Sequence, residues 1–288
     1  MLSLRTALCQ SENLGGAFAR YRRYRGLWTP NSPMFTVASA PVVPMLRLAD
    51  ELRTGRYRPM PPHVMSVAKA NGDRRELRVF AIRDRVAQRA LLQVLQARTD
   101  SEMSPCSYGY RPGRSVAGAL ARIRSFLDQG LSWVVDADVE RCFDSIPRGP
   151  LLEEVTRRLH TPEAAELVAQ CLGWESSEER NKVGIPQGAV LAPWLCNVYL
   201  WQLDDAMHAE DAAMVRFADD FVLLSGVRPR AEALLQRCAE VIEQMRLRLH
   251  PVKTAIIDTA RPFRFLGQWL ITTPLLLRGP ATDGGTCP

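Results

Sequence analysis

The order of hydrophobic and polar positions predicts a chain of alternating helices and short strands. Apolar and polar residues alternate on both sides of Asn71-Gly72, which predicts a two-stranded hairpin over residues 63–80. Residues 214–224 form two short apolar runs around Asp219-Asp220 and predict a second hairpin. Further strands are predicted at 133–138, 255–258 and 263–270. Helical periodicity covers 44–52, 82–97, 116–128, 150–159, 164–172, 192–208 and 230–249.

The composition indicates a soluble core. The chain has 288 residues, of which 47% are hydrophobic and 24% charged, so collagen, a disordered tail and a disulfide miniprotein are excluded. Residues 183–203 carry no charge over the length of a membrane span, but prolines and polar residues within them favour a buried loop and helix, with no membrane partner. The seven scattered cysteines indicate reduced thiols in a cytoplasmic protein, and the first ten residues do not resemble a signal peptide.

The charge is distributed unevenly along the chain. Residues 1–135 contain 21 basic and 9 acidic residues, whereas residues 136–288 contain 16 and 22. A basic half followed by an acidic half suggests a surface for a polyanion beside a site that uses carboxylates. Only three of the 37 basic residues are lysines, so each lysine is more informative than an arginine.

The candidate chemistry lies in three aspartates. Asp219 and Asp220 lie at a predicted turn between apolar strands, where their mutual repulsion calls for a cation. Asp138 ends another strand and could reach that turn, and carboxylates from separate strands can hold two Mg²⁺ ions for phosphoryl transfer. The alternative is that Asp138 and Asp144 cap a turn and a helix, which we favour for Asp144. Asp204-Asp205 is interpreted as a chance pair on a solvated helix face.

Six sequence blocks occur in an order that resembles prokaryotic reverse transcriptases of the group II intron-like lineage, including CRISPR-associated enzymes. They are YRPMPPHVMSVAKANGDRRELRVFAIRDRVAQRAL followed by SYGYRPGRS, DVERCFDSIP, GIPQGAVLAPWLCN, FADD, a block ending in Lys253-Thr254, and FRFLG. The resemblance covers about residues 52–270. It implies an α+β fold: a right-hand polymerase palm, with an antiparallel sheet packed on helices, together with fingers. It also implies an N-terminal helical lead-in over 1–65, fingers over 66–135, a palm with interleaved fingers helices over 136–270, and a disordered tail over 271–288.

The resemblance also implies roles for individual residues. Asp138, Asp219 and Asp220 match the catalytic metal-binding triad for two Mg²⁺ ions, with Mn²⁺ as a substitute. The nucleotide-binding set comprises Lys69 and Arg75 on the triphosphate, Phe143 under the sugar, Gln187 and Gly188 against the nucleotide and template base, and Lys253 near the leaving pyrophosphate. Arg111 and Arg114 match template contacts, and Phe265, Leu266 and Gly267 a primer grip. Plain alternatives stay open: core packing for Phe143, a turn charge for Lys69, a helix-end charge for Lys253, and solvated loops for Arg111 and Arg114.

Two departures from the family pattern qualify the implied function. Phe217 stands where tyrosine is usual before Ala-Asp-Asp, so the ring is kept and the hydroxyl is lost. Only 18 residues follow Leu270, so a helical thumb is expected to be absent or vestigial and a protein partner could supply a thumb or integrase function.

The expected function is RNA-directed DNA polymerisation, using an RNA template, a DNA or RNA primer and deoxynucleoside triphosphates. The biological settings considered are CRISPR spacer acquisition, a group II intron-encoded fragment, a retron and a diversity-generating element, with the first two favoured. The alternative function is a catalytically idle RNA-binding palm remnant of a mobile element. Polymerisation of ribonucleotides is disfavoured by Phe143.

Overall fold

The computed structural model describes residues 2–68, 72 and 74–271. Lys69 and Asn71, at the predicted hairpin tip, and the predicted tail from residue 272 onward lie outside the described residues.

The described residues form the predicted helices and strands in the predicted order, together with short elements that the pattern does not predict. The helices are α1 Leu4–Leu8, α2 Ser11–Ala19, α3 Met34–Ser39, α4 Val42–Arg53, α5 Ile82–Thr99, α6 Val116–Asp128, α7 Cys142–Ser145, α8 Arg148–Leu159, α9 Pro162–Leu172, α10 Ser177–Arg180, α11 Ala192–Ala209 and α12 Arg228–Gln244. The strands are β1 Leu27–Thr29, β2 Ser32–Pro33, β3 His63–Ala68, β4 Arg74–Val79, β5 Trp133–Asp138, β6 Ala213–Phe217, β7 Asp220–Ser225, β8 Ala255–Asp258, β9 Phe263–Phe265 and β10 Gln268–Leu270.

Two compact units share the chain, and each is built from two separate segments. The first comprises the described residues of Met1–Ser104 and Arg141–Gln202. In it, α5 packs against α1, α2, α8 and α9, and buries apolar residues such as Val86, Leu91 and Leu95. The β3–β4 hairpin belongs to this unit and pairs in register from His63 opposite Val79 to Ala68 opposite Arg74.

The second unit comprises the described residues of Pro105–Glu140 and Leu203–Pro288. Its centre is a four-stranded antiparallel sheet in the order β6-β7-β5-β8. Helix α6 packs on β6, and α12 packs on β5 and β7. The β5 sequence is buried at Val134, Val135 and Ala137, so this strand is covered on both faces. The predicted antiparallel sheet packed on helices is confirmed.

Two predicted elements have different boundaries in the structure. Helix α12 ends at Gln244 instead of continuing to 249, because Arg246 takes a left-handed conformation at φ +58°. The amides of Arg246 and Leu247 then bond to the carbonyls of Glu243 and Ile242, which is the helix-ending pattern that glycine normally provides. The predicted strand at 263–270 is a tight hairpin, since Leu266 and Gly267 both have positive φ.

No helix within the described ranges has both the length and the apolar composition needed to cross a membrane.

Candidate active site

Two strands of the second unit bring acidic residues together. Asp138 at the end of β5 is the register partner of Asp220 at the start of β7. Directly opposite residues on antiparallel strands have Cβ atoms about 4.5–5.5 Å apart. Asp219 lies in the adjoining β6–β7 turn. The structure therefore places all three predicted aspartates at one end of the sheet.

The turn that carries Asp219 is held by a hydrogen bond between Arg216 and Ala218 and by the neighbouring loop that contains Gly109. Ala218 has a left-handed φ of +59°, and its carbonyl accepts a hydrogen bond of 3.0 Å from Arg216. Gly109 packs so closely against the turn that a Cβ there would lie 2.5 Å from the Ala218 amide nitrogen. The amide of Tyr108 donates to the Arg216 carbonyl at 2.8 Å. The turn conformation is thus fixed from two sides.

Arg216 is itself anchored by a buried ion pair. Its guanidinium makes two bonds to Asp204, at 2.7 and 2.6 Å, and a third to the Ser107 hydroxyl at 3.0 Å. Both charged side chains are 1% exposed. The interpretation of Asp204 as a solvated residue is therefore wrong. Its carboxylate compensates the buried arginine, since an unpaired charge would be costly in the core.

Burial, with charge repulsion adding to it, raises the pKa values of Asp219 and Asp220. Burial, with the charges of Asp219 and Asp138 adding to it, raises the pKa of Asp220 to about 6. Burial also raises the pKa of Asp219, and the charge of Asp138 contributes. Each carboxyl therefore resists ionisation in the absence of a compensating cation.

Lys253 supplies part of that compensation. Its ammonium group donates a hydrogen bond to the Asp138 carboxylate, and this bond raises the lysine pKa. The amide of His250 bonds to the Asp138 carbonyl at 2.8 Å, and the Lys253 amide bonds in turn to the His250 carbonyl at 3.2 Å. The chain after α12 is thereby tied to the end of β5. This tie brings the predicted Lys253 to the carboxylates.

The donor set fits a divalent cation by its chemistry. Carboxylate oxygens are the preferred ligands of Mg²⁺. The pKa values of Asp219 and Asp220 are raised by burial first and by neighbouring charges second, and a bound cation would offset both effects. Over residues 2–68, 72 and 74–271, no three acidic, histidine or cysteine side chains already converge as a preformed metal cage. The Lys253 ammonium pairs with one of these carboxylates, that of Asp138.

Asp136 is an acidic residue of the cluster that the sequence reasoning missed. It precedes Asp138 by two positions on β5, so the two side chains point to the same face of the sheet. Burial and the charges of Asp220 and Asp138 raise the pKa of Asp136 to about 6. The alternation in WVVDAD was the available signal, since an acid two residues before a candidate ligand shares its face.

A second group of predicted residues assembles within the first unit. The Ile185 amide donates to the Phe143 carbonyl at 2.7 Å, and the Gly184 amide donates to Ile146 at 2.8 Å. These bonds attach the loop at 183–189 to α7. The Gln187 carbonyl accepts from the Arg78 amide of β4 at 2.7 Å. Phe143, whose ring is partly exposed, Gln187 and Gly188 thus lie on one hydrogen-bonded platform with the β3–β4 hairpin.

Asp144 and Gly188 act differently from what the sequence suggests. Asp144 lies inside α7 and does not cap the following helix α8, which begins after Pro147 without a side-chain cap. Its carboxylate accepts a hydrogen bond of 2.9 Å from the Gln187 side chain. Gly188 has a φ of +106°, and a Cβ there would lie 2.5 Å from the Arg78 carbonyl. The close approach that Gly188 permits in this structure is to the backbone of β4. A contact between Gly188 and a nucleotide stays a prediction.

Family membership follows from the sequence over most of the chain. Residues 67–270 match the family described as reverse transcriptase (RNA-dependent DNA polymerase). The chain belongs to the reverse transcriptase family. The predicted enzyme class, an RNA-directed DNA polymerase, is confirmed at the level of this family.

Relatives place the chain near group II intron proteins. Protein YkfC of Escherichia coli is 30% identical over 272 residues, covering 78% of this chain and 70% of YkfC. The group II intron-encoded protein LtrA of Lactococcus lactis is 30% identical over 163 residues, covering 55% of this chain but 27% of LtrA. The predicted resemblance to group II-like reverse transcriptases is confirmed.

Solved structures support the same fold. Telomerase from Candida albicans, in complex with a fragment of telomeric RNA, has a TM-score of 0.58 at 12% identity, covering 76% of this chain and 45% of the telomerase. The chain thus spans less than half of that neighbour. At this identity the likeness shows the fold alone, and it agrees with the predicted palm.

The two arginines that the family resemblance assigns to the template, Arg111 and Arg114, differ in their exposure. Arg111 is buried, at 8% exposure, and donates to the Ser107 carbonyl at 3.0 Å. A direct template contact is therefore disfavoured for Arg111, which braces the loop. Arg114 is exposed and lies over the Tyr108 ring, 5.0 Å from its centre, so its contact with template stays a prediction.

The predicted primer grip is corrected in one residue. The Phe265 ring is 3% exposed and packs in the core beside Phe263 and Leu270, so it cannot face a primer. Leu266 and Gly267 form the turn of the β9–β10 hairpin. Arg75 lies exposed on β4 opposite Val67, close to the hairpin tip. Primer and nucleotide contacts of these three residues stay predictions.

Proposed function

We propose that the chain catalyses template-directed addition of deoxynucleotides to a primer 3′-hydroxyl on an RNA template. The observation that carries this proposal is the register pair of Asp138 and Asp220, with Asp219 in the adjoining turn. Carboxylates from two strands at one sheet end are what in-line phosphoryl transfer with metal ions needs. The family assignment selects deoxynucleotide polymerisation among such reactions.

The aspartates would hold the metal ions, and the other residues would prepare the substrates. Two Mg²⁺ ions, or Mn²⁺ in their place, would activate the primer hydroxyl and stabilise the leaving pyrophosphate. Asp138, Asp219 and Asp220 would bind them through carboxylate oxygens. Lys253 keeps a proton on Nζ beside these carboxylates, and its positive charge would stabilise the charge that develops on the leaving pyrophosphate. Phe143 and Gln187, on their shared platform, would meet the incoming nucleotide.

The decisive experiment is primer extension on an RNA template with a DNA primer and Mg²⁺. Asp219→Asn keeps the side-chain shape but removes the charge, and loss of several kcal/mol of transition-state stabilisation predicts a fall in rate of at least about a hundredfold. Glu243→Ala removes an exposed carboxylate from α12 of the same unit and should extend like the wild type. Equal extension by Asp219→Asn and wild type would overturn the proposed site.

The second candidate is an RNA-binding palm that does not turn over. The ion pair between Lys253 and Asp138 favours it, because this pairing removes one carboxylate from metal binding. Binding of RNA by the wild type without any extension would support this candidate. If Lys253→Met then permitted extension, the idle state would be assigned to that ion pair.

The biological setting is a separate proposal. Similarity to a group II intron-encoded protein supports an intron origin, and CRISPR spacer acquisition with an integrase partner stays a prediction. A protein partner that supplies a thumb is likewise a prediction from the family resemblance. An intron ribozyme around the reading frame would support the first setting, and a spacer-integrase gene beside it would support the second.

A further inference from the structure

An aromatic pair lies directly beside the turn that carries Asp219. The rings of Tyr110 and Phe217 have centroids 6.2 Å apart and planes tilted by 46°. Phe217 is partly buried against the core of the second unit, whereas Tyr110 is 56% exposed. Two residues separate Phe217 from Asp220 in the chain. The outer member of the pair is therefore an aromatic residue exposed next to the turn.

The backbone holds Tyr110 in place at a conformational cost. Its φ is +57°, a left-handed value that bulky residues rarely adopt and that persists only when the surroundings impose it. Gly109, immediately before it, packs against the Ala218 amide. Arg111, immediately after it, is buried and bonded to the Ser107 carbonyl. Tyr110 is thus held between Gly109, which packs against the β6–β7 turn, and Arg111, which is bonded within its own loop.

The chemistry of the pair matches a nucleotide. An aromatic ring can stack on a base or sugar, and a phenol hydroxyl can donate or accept one hydrogen bond. Phe217 has a ring without a hydroxyl, so Tyr110 provides the hydroxyl of the pair. In the proposed reaction the attacking 3′-hydroxyl must lie against the carboxylates of the turn, so the nucleotide that carries it would lie beside this pair.

We propose that Tyr110 binds the 3′-terminal nucleotide of the primer, and that its hydroxyl supplies the hydrogen bond that a tyrosine at position 217 would make. The proposal rests on the proposed polymerase function and adds a substrate-binding residue to it. Tyr110 acts with Phe217 as one unit: the inner ring supports the outer ring, and the outer ring contacts the primer.

The test is a hydroxyl exchange across the pair. Four proteins are compared: wild type, Tyr110→Phe, Phe217→Tyr, and the double variant that carries both changes. The dissociation constant is measured by fluorescence anisotropy with a labelled DNA primer annealed to an RNA template, and separately with the single-stranded template. Tyr108→Phe is the matched control, because it removes a hydroxyl from the same loop while its ring lies in the core.

Tyr110→Phe should weaken primer–template binding about 3- to 10-fold, the usual effect of one hydrogen bond, and leave binding of the single-stranded template unchanged. The double variant should return to within about twofold of wild type, since the hydroxyl is restored on the other ring. Tyr108→Phe should bind like the wild type.

Unchanged primer–template binding by Tyr110→Phe, or equal weakening for the single-stranded template, would overturn the proposal. A double variant as weak as Tyr110→Phe would do the same. Primer–template binding is measured without nucleotide and does not require extension. A wild type that fails to extend primers would therefore contradict the polymerase function, whereas the binding comparison would still test the role of Tyr110.

Discussion

Asp136 shows how one residue changes the energetics of the acidic cluster. It contributes a fourth carboxylate beside Asp138 and Asp220, and their charges add to burial in raising its pKa to about 6. The ordinary aspartate value is about 4. The folded protein therefore binds this proton more tightly than the unfolded chain does, so ionisation of Asp136 opposes folding. This penalty is absent below about pH 4, grows between pH 4 and 6, and is complete above pH 6.

Asp136→Asn is accordingly expected to stabilise the metal-free protein. At pH 7.5 the free energy of unfolding should rise by about 1–2 kcal/mol, after allowance for solvent screening of a partly exposed group. The gain should disappear near pH 4. Thermal unfolding in EDTA at both values measures it, and Asp258→Asn, an exposed change on β8, should have little effect at either pH. A stabilisation that persists at pH 4 would contradict the electrostatic explanation.

The three catalytic candidates were predictable because each lies where a short-range pattern changes. Asp219 and Asp220 interrupt two apolar runs, and Asp138 ends a third. Asp204 was not predictable, because nothing near it in the sequence indicates that its partner is Arg216, twelve residues later on another element. Long-range pairing of that kind depends on how α11 and β6 meet, and the local pattern does not contain it.

At the scale of elements, the β6–β7 turn depends on the glycine of the neighbouring loop. Gly109 has no space for a Cβ, since that atom would overlap the Ala218 amide nitrogen at 2.5 Å. The clash is with backbone, so it can be relieved only by moving the loop or the turn. Glycine is therefore required at position 109 because the loop and the turn pack too closely to leave room for a side chain.

Gly109→Ala is expected to destabilise the protein by about 1–3 kcal/mol, the usual range for overpacking, and to slow primer extension because the Asp219 turn shifts. Gly15→Ala is the matched control. A Cβ at Gly15 meets nothing within 4 Å, and in the middle of α2 alanine should stabilise by up to about 1 kcal/mol. Thermal melting and extension rates measure both changes. Equal effects of the two substitutions would show that the packing at Ala218 is not limiting.

Element boundaries were less predictable than element types. The ends of α12 and of the β9 strand depend on Arg246 and Leu266 in left-handed conformations. Sequence rules expect glycine at such positions. The hairpin of β3 and β4 was predictable because Asn-Gly is a strong turn signal, and its two strands pair in full register.

At the scale of the whole molecule, four of the 21 basic residues in the N-terminal half fall in one short segment. Residues 20–25 read Arg-Tyr-Arg-Arg-Tyr-Arg, and Arg85 of α5 lies over the rings of Tyr21 and Tyr24, at 5.1 and 5.3 Å from their centres. Arg22 and Arg23 line a surface groove of about 610 Å³. Uncompensated arginines interleaved with aromatic rings are typical of a nucleic-acid surface.

The double variant Arg22→Ser/Arg23→Ser tests whether this segment is the polyanion surface that the charge distribution predicts. If both arginines contact phosphates of single-stranded RNA, the slope of log affinity against log salt should fall in magnitude by about 1.4. Arg53→Ser/Arg56→Ser is the charge-matched control, because both of these exposed arginines already pair with Asp50. RNA binding is measured between low and moderate salt for all three proteins. Equal slopes for the two double variants would mean that RNA responds to net charge and not to this segment, whereas a change confined to the first would locate the contact at residues 22 and 23.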